Sequence, residues 1–170
     1  GYTVRNAVIG EANQIAKIHV DSWQVAYRGL MPQSYIDQFT RERRERMWTR
    51  VMTEQLANLI VVEKQKEIVG FLSYELPNHS SEDKTAIVTC CYVSPLYFGQ
   101  GAGSALFDEL ETRLLSTPVM QISLKALDTN KQGLNFYKKC GFVRSGEEES
   151  EVIDDMTLTD LTLVKYIARS

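Results

Sequence analysis

The sequence lacks any long apolar segment. No run reaches the roughly 18 to 20 apolar residues that a membrane-spanning helix needs. The first residues also lack the basic and then apolar pattern of a secretory signal. Apolar residues make up 44% and charged residues 24% of the 170 positions, which is typical of a globular domain. We therefore predict a single domain over residues 1–170, located in the cytoplasm and without a membrane partner.

Histidine and cysteine are scarce. Two histidines and three cysteines, with no Cys-x-x-Cys pair, do not give the ligand spacing of a zinc site, so we expect no metal. Cys90 and Cys91 are neighbours in the chain. Neighbouring side chains of a strand point to opposite faces, so these two thiols cannot easily form a disulfide. Unpaired thiols are typical of a reducing compartment.

The chain has no excess of basic charge. Its formal net charge is −3, whereas binding to nucleic acid or to a membrane surface needs a concentrated basic patch. We expect neither partner. The one basic run, residues 41–46, is interleaved with Glu42 and Glu45. That spacing favours a solvated, salt-bridged helix face over a phosphate-binding patch.

Hydrophobic periodicity and turn residues predict alternating helices and strands. The predicted helices cover residues 11 to about 30, 33 to about 52 with an interruption near Thr40, 103–115 and 131–140. The predicted strands cover residues 2–8, 58–63, 68–76, 85–93, 120–127, 142–146 with an extension toward 152, and 156–167. The run 85–93 is nearly uncharged, which favours a strand covered on both faces. The fold class is α/β with a mixed sheet: an antiparallel front half followed by a βαβ unit.

Three glycines lie between the uncharged strand and the next helix. Gly99, Gly101 and Gly103 let the backbone approach a ligand closely. The first amides of a helix lack internal partners and lie at the positive end of the helix dipole, so this turn suits a pyrophosphate. A glycine-rich turn without a ligand is one alternative. A dinucleotide site is another, although Gly-x-Gly-x-Gly differs from the spacing of that motif.

A second segment, residues 130–142, follows the next predicted strand. It contains Asn130, then Tyr137 seven positions later, then Gly141 and Phe142. With both segments in this order, the chain resembles the GNAT superfamily of N-acetyltransferases over its whole length. The residues that match the family pattern are Val93, Pro95, Gly101, Gly103, Asn130, Tyr137, Gly141 and Phe142.

The resemblance implies a GNAT-like acyl-CoA N-acyltransferase fold, with a central mixed β-sheet flanked by helices. It also implies an acetyl-CoA-dependent N-acetyltransferase in which a primary amine attacks directly in a ternary complex. Tyr137 would be the general acid that protonates the departing thiolate, since a phenol with a pKa of about 10 is protonated at neutral pH. The implied cofactor-binding residues are Cys91, Tyr92, Val93, Phe98, Gly99, Gln100, Gly101, Ala102, Gly103, Ser104, Asn130 and Tyr137.

The sequence departs from the family pattern in two places. Phe98 stands where the family usually has Gln or Arg, and we expect a small loss of phosphate contact because the turn acts mainly through backbone amides. Gly133 replaces a frequent Ala, which should loosen its helix slightly.

A general base is not evident, because the run 85–93 contains no carboxylate. Glu75 and Asp128 are candidates, as is a water chain to solvent, and His19 would join them if it were wet and close to the cofactor sulfur. An acyl-cysteine route is less favoured, since nothing places a histidine or carboxylate beside a thiol.

The acceptor is expected to be a small-molecule or peptide amine. Polyamines, aminoglycosides, amino acids, peptide N-termini and lysines remain open, and pairing of strand edges would allow a homodimer. The alternative function is a non-catalytic acetyl-CoA-binding sensor, and a third reading is a nucleotide-binding protein without CoA specificity. The candidate acceptor contacts are Trp23, Tyr27 and Glu75, together with His19, Asp21 and Tyr35. Core packing is the alternative role for His19, Trp23 and Tyr27.

Overall fold

The computed structural model describes residues 1–169, which form a seven-stranded sheet. Its strands are β1 (Thr3–Asn6), β2 (Asn58–Lys64), β3 (Glu67–Glu75), β4 (Thr85–Val93), β5 (Gln121–Leu127), β6 (Val143–Ile153) and β7 (Met156–Tyr166). The strand order is β1-β2-β3-β4-β5-β7-β6. Every neighbouring pair is antiparallel except β4 and β5, which are parallel. The predicted mixed sheet, with its antiparallel front half and its βαβ unit, is confirmed.

Five α-helices within residues 1–169 flank the sheet. They are α1 (Ala12–Tyr27), α2 (Gln33–Asp37), α3 (Arg41–Thr53), α4 (Ala102–Leu114) and α5 (Lys131–Lys139). The predicted interruption near Thr40 is confirmed, since the Thr40 hydroxyl accepts a hydrogen bond from the Arg43 amide at 3.2 Å and caps α3. None of the helices within residues 1–169 is long and apolar enough to cross a membrane.

A separate hydrophobic cluster covers each face of the sheet. On one face Leu106, Leu110 and Leu114 of α4 are fully buried, four positions apart, and pack against the strands. On the other face Ile15 of α1 and Trp48 of α3 pack with strand residues of β2 and β3. The sheet is thus a middle layer, and any cleft between its strands opens between two rigid helical layers.

The basic run at the start of α3 is not wholly solvated as predicted. Arg44 is only 7% exposed, whereas its neighbour Arg43 is exposed. Arg44 lies four residues before the buried Trp48, so the helical repeat places both side chains on the face that packs against α1. Within the described chain, neither Glu42 nor Glu45 forms an ion pair with this run.

The prediction that residues 85–93 are covered on both faces is also wrong. Ala86 and Val88 are buried beneath α4, but Ile87 is 48% exposed and Thr89 is exposed. At this end of β4 a helix covers only one face, because α1 and α3 pack on the first strands of the sheet. The uncharged residues of β4 from Val88 to Val93 line a cleft instead of forming a second buried face.

Candidate active site

The sheet opens between β4 and β5. Their parallel pairing is limited to Thr85–Ile87 against Gln121–Ser123, and the two strands diverge beyond it. In the second half of β4, the backbone N–H and C=O groups on the β5 side therefore have no strand partner. A cleft of about 560 Å³ occupies this gap and continues past the beginning of α4 and the side of α5.

A β-bulge at Thr89 shapes the wall of the cleft. Cys90 pairs with Ser73 and Val88 pairs with Tyr74, so Thr89 is an extra residue on β4. The Thr89 hydroxyl donates to the Ser73 hydroxyl at 2.9 Å and holds the bulge. A bulge bends its strand and shifts the alternation of side chains, so Val88 and Cys90 lie on opposite faces of the sheet although they are two positions apart. Cys90 and Cys91 also face opposite sides, as neighbours in a strand do.

The glycine-rich turn enters α4 in a conformation that glycine permits. Gly101 is the N-cap residue with φ +90°, a left-handed backbone that other residues rarely adopt. The Ala105 amide donates the first helical hydrogen bond to the Gly101 carbonyl, so the preceding amides of α4 are left free. Gly103 is needed for a different reason, since a Cβ there would lie 2.7 Å from the Phe136 ring of α5. The turn presents unpartnered amides and the positive end of a helix dipole to the cleft.

Asn130 fixes the start of α5. Its side-chain oxygen accepts a hydrogen bond from the Gly133 amide at 3.1 Å, which makes Asn130 the N-cap. The Asn130 side chain also lines the cleft. A Cβ on Gly133 would lie 2.5 Å from the Asn130 amide nitrogen, so the glycine makes room for this cap.

Tyr137 points into the cleft from α5. Its ring packs among Phe107, Phe136 and Phe142 at centroid distances of 6.0, 5.4 and 6.0 Å. Burial, followed by the neighbouring Cys91, raises the pKa of Tyr137 well above its usual value. The hydroxyl therefore keeps its proton at neutral pH. It forms no hydrogen bond with any other part of the chain that the structure describes, which leaves it available to a ligand.

The cleft brings together eleven of the twelve predicted cofactor-binding residues. The exception is Gln100, whose backbone carbonyl accepts a hydrogen bond from the Tyr2 hydroxyl at 2.8 Å on the outer side of the turn. The lining residues from that set are Cys91, Tyr92, Val93, Phe98, Gly99, Gly101, Ala102, Gly103, Ser104, Asn130 and Tyr137. Two segments that are distant in sequence thus meet at one site.

The structure places only some of the candidate acceptor-binding and base residues at the cleft. Tyr27 lines the cleft, whereas Trp23 lies behind the wall and donates a hydrogen bond from its indole nitrogen to the Tyr92 hydroxyl at 2.9 Å. Glu75 is exposed at the end of β3 and is not brought into the cleft. Asp128 also lies outside the lining set.

His19 is not wet. It is 2% exposed and its Nδ1 accepts a hydrogen bond from the indole nitrogen of Trp48 at 3.0 Å. Burial, followed by the positive charge of Arg44, lowers the pKa of His19 to about 2. The imidazole stays neutral and sealed beneath aromatic rings, so the condition under which it would serve as a base is not met.

The thiols are poor nucleophiles. Burial raises the pKa of Cys90 to about 11 and also raises that of Cys91. A thiol reacts as its thiolate, and these environments suppress the thiolate at neutral pH. Cys90 and Cys91 therefore line the cleft as small apolar residues.

Sequence reasoning did not propose two charged residues, Lys125 and Asp160, as part of the site. Lys125 of β5 lines the cleft, and Asp160 of β7 pairs with Leu127, the last residue of β5. Burial, followed by Glu151, raises the pKa of Asp160, and Asp160 in turn helps to raise that of Tyr27. Leu158 and Leu161 are buried on either side of Asp160, so the alternation along β7 gave no signal for its position.

The comparisons with known proteins agree with the geometry. Residues 13–142 match the model of the acetyltransferase (GNAT) family. An uncharacterized N-acetyltransferase of Bacillus subtilis (strain 168), YuaI, is 26% identical over 151 residues, which cover 88% of this chain and 85% of that protein.

Solved structures show the same fold. The PaiA N-acetyltransferase of Thermoplasma acidophilum, solved in complex with coenzyme A, aligns with a TM-score of 0.76 at 18% identity, over 98% of this chain and 99% of that one. The ribosomal-protein-S18-alanine N-acetyltransferase of Escherichia coli aligns with a TM-score of 0.71 at 17% identity, over 100% and 96%. Since the family model covers most of the sequence, the chain belongs to the GNAT acetyltransferase family.

Proposed function

We propose that this protein is an acetyl-CoA-dependent N-acetyltransferase that acetylates a primary amine by direct attack in a ternary complex. The observation that carries the proposal is the convergence of three features in one cleft. These are the strand gap beside β4, the free amides at the start of α4 and the unpartnered hydroxyl of Tyr137. Each suits a different part of acetyl-CoA.

The cleft fits the shape and charge of the cofactor. The free amides after Gly101 suit the pyrophosphate, because backbone donors and the helix dipole both favour an anion. The unpaired edge of β4 from Cys91 to Val93 suits the amide-containing pantetheine arm, which can hydrogen bond as an added strand would. The arm would lead from the turn toward Tyr137.

The chemistry assigned to the chain is acid catalysis. The acceptor nitrogen attacks the acetyl carbonyl carbon, a carbon–nitrogen bond forms and the carbon–sulfur bond breaks. Tyr137 donates its proton to the departing thiolate, and its apolar surroundings keep it protonated until then. Within the described residues no carboxylate or imidazole lines the cleft, so the proton lost by the amine goes to water, and a proton from water restores the Tyr137 phenol.

The test compares wild type with Tyr137→Phe for thiol release across a panel of amines. The substitution removes one oxygen and keeps the ring packing, so acetyl-CoA affinity should stay within about threefold. The maximal rate should fall by about 100-fold or more, the usual contribution of a general acid. Tyr166→Phe is the matched control, because Tyr166 is 71% exposed and outside the cleft.

The alternative outcomes separate the hypotheses. A Tyr137→Phe protein that turns over as fast as wild type would remove Tyr137 from the mechanism. Wild-type protein that binds acetyl-CoA but releases no thiol with any amine would favour the sensor function. Equal affinity for ADP and CoA would favour a nucleotide-binding protein.

A further inference from the structure

Arg44 is a buried cation without a counter-charge. It is 7% exposed, and its Nε and Nη2 atoms are buried without a hydrogen-bond partner in residues 1–169. Its Nη1 atom meets only the thioether sulfur of Met47 at 3.8 Å. A guanidinium has five N–H donors, and burying it with most of them unused is costly. Such a group needs an explanation beyond packing.

The surroundings of Arg44 are aromatic and uncharged. Its Cζ atom lies 4.2 Å from the ring centroid of Phe39 and 4.7 Å from that of Trp23. Burial lowers the pKa of Arg44, and the side chains that act on it next are Tyr92 and Cys90, with no carboxylate in the described set. The faces of aromatic rings attract the cation, but they offer no acceptor oxygen to its N–H groups.

Arg44 lies one side chain behind the part of the cleft lined by Tyr27, Cys90 and Tyr92, which we call the acceptor end because the proposed acceptor would bind there. Tyr92 and Cys90 line the cleft, and both act on the Arg44 guanidinium. Trp23, which covers one face of the guanidinium, donates to the Tyr92 hydroxyl. The buried cation therefore backs the wall that an acceptor would meet.

Cation–π packing alone does not account for the burial. Arg43, the preceding residue of α3, stacks on the same Phe39 ring at 4.5 Å and remains exposed to water. The ring of Phe39 is only partly buried and lies on the connection between α2 and α3. Its displacement would uncover one face of the Arg44 guanidinium.

We propose that Arg44 binds a carboxylate of the acceptor, so that the acceptor is an amine that also carries a carboxylate, as a free amino acid does. This inference rests on the proposed function of the same cleft. An incoming carboxylate supplies both the missing charge and the missing acceptor oxygens, in the bidentate geometry that a guanidinium favours.

The experiment uses matched acceptors and matched variants. Thiol release with acetyl-CoA is measured for L-amino acids and for the corresponding carboxamides, which keep the amine and lose the negative charge. The proteins are wild type, Arg44→Met and Arg43→Met. The ratio of kcat/KM for acid over amide is compared between proteins, so that differences between the amines cancel. Arg43 is the control because it contacts the same ring but is exposed.

We expect wild type to prefer at least one acid over its amide. Arg44→Met should lower that preference by about tenfold to a hundredfold, mainly through KM, because a charge-assisted hydrogen bond is lost. Arg43→Met should keep it. An unchanged preference in Arg44→Met would overturn the inference, as would a wild type that uses acids and amides equally.

A binding measurement keeps this result separate from the proposed function. Melting temperatures are recorded with CoA present and with each acid or amide added, which requires no turnover. Acids that stabilise wild type but not Arg44→Met would support the carboxylate site even if no amine were acetylated. Efficient acetylation of amines with no effect of the carboxylate in either assay would refute the inference and leave the proposed function intact. If Arg44→Met does not fold, Arg44→Lys takes its place in both assays. It keeps the positive charge but loses the planar guanidinium that binds a carboxylate through two hydrogen bonds.

Discussion

The two ends of the cleft are built in different ways. The cofactor end consists of backbone amides after Gly101 and a strand edge, and all of it comes from two short stretches of sequence. The end where we expect the acceptor to bind is lined by side chains of α1, β4 and β5, which are far apart in the sequence. Backbone geometry can recognise a cofactor that never changes. Side chains can be exchanged one at a time, so we expect the specificity for the acceptor to lie at that end.

The largest effect on acetyl-CoA affinity is expected at the cofactor end, from Gly101→Val. At φ +90° a β-branched residue is strained, and the turn must change its conformation or shift its amides. Acetyl-CoA affinity measured by calorimetry should fall about tenfold to a hundredfold. Gly10→Val is the control, because a side chain there meets open space at an ordinary φ. Equal affinity in the two variants would show that the turn does not hold the cofactor.

An intermediate effect is expected at the acceptor end, where His19 couples stability to pH. Its pKa is about 2 in the folded state and about 6.5 in the unfolded state, so only the unfolded state takes up a proton as the pH falls below 6.5. Stability should then fall by up to about 1.4 kcal/mol per pH unit.

His19→Gln should reduce the fall of stability at low pH. The glutamine amide oxygen can still accept the hydrogen bond from Trp48, and it does not titrate. Denaturant titrations between pH 7 and pH 4 give the free energy of unfolding. His79→Gln is the control, because His79 is exposed in the loop after β3. Parallel pH profiles for wild type and His19→Gln would contradict the buried, neutral imidazole.

The smallest effect is expected from Cys90→Ala. With a thiol pKa of about 11, almost no thiolate is present at pH 7, so removal should change turnover by less than about threefold. Mass spectrometry of the protein after mixing with acetyl-CoA should show no added acetyl group on Cys90. A stable acetyl adduct, together with loss of turnover in Cys90→Ala, would establish the covalent route instead.

The contrast between the ends also explains what the sequence could predict. Gly101, Asn130 and Tyr137 could be named from the sequence because the family resemblance rests on two short segments, and the structure brings all three to the cleft lining. The bulge at Thr89 could not be found, since it arises from the pairing of Ser73 and Tyr74 with β4. The fold class followed from strand and helix periodicity alone.

The errors at the acceptor end have the same cause. Arg44 was predicted to be solvated because its charged neighbours suggested a polar face. Its burial depends on where α3 begins and on what α1 places opposite it. Asp160 was not considered, because only the assembled sheet brings its face toward Tyr27. Tertiary contacts, rather than local pattern, decide both positions.

The most direct test of the central claim is calorimetry of acetyl-CoA binding to the wild-type chain, with ADP as the competitor ligand. We expect one acetyl-CoA per chain, bound at least about tenfold more tightly than ADP, because the strand edge as well as the helix start contributes contacts. Absence of acetyl-CoA binding, or equal affinity for the two ligands, would contradict it.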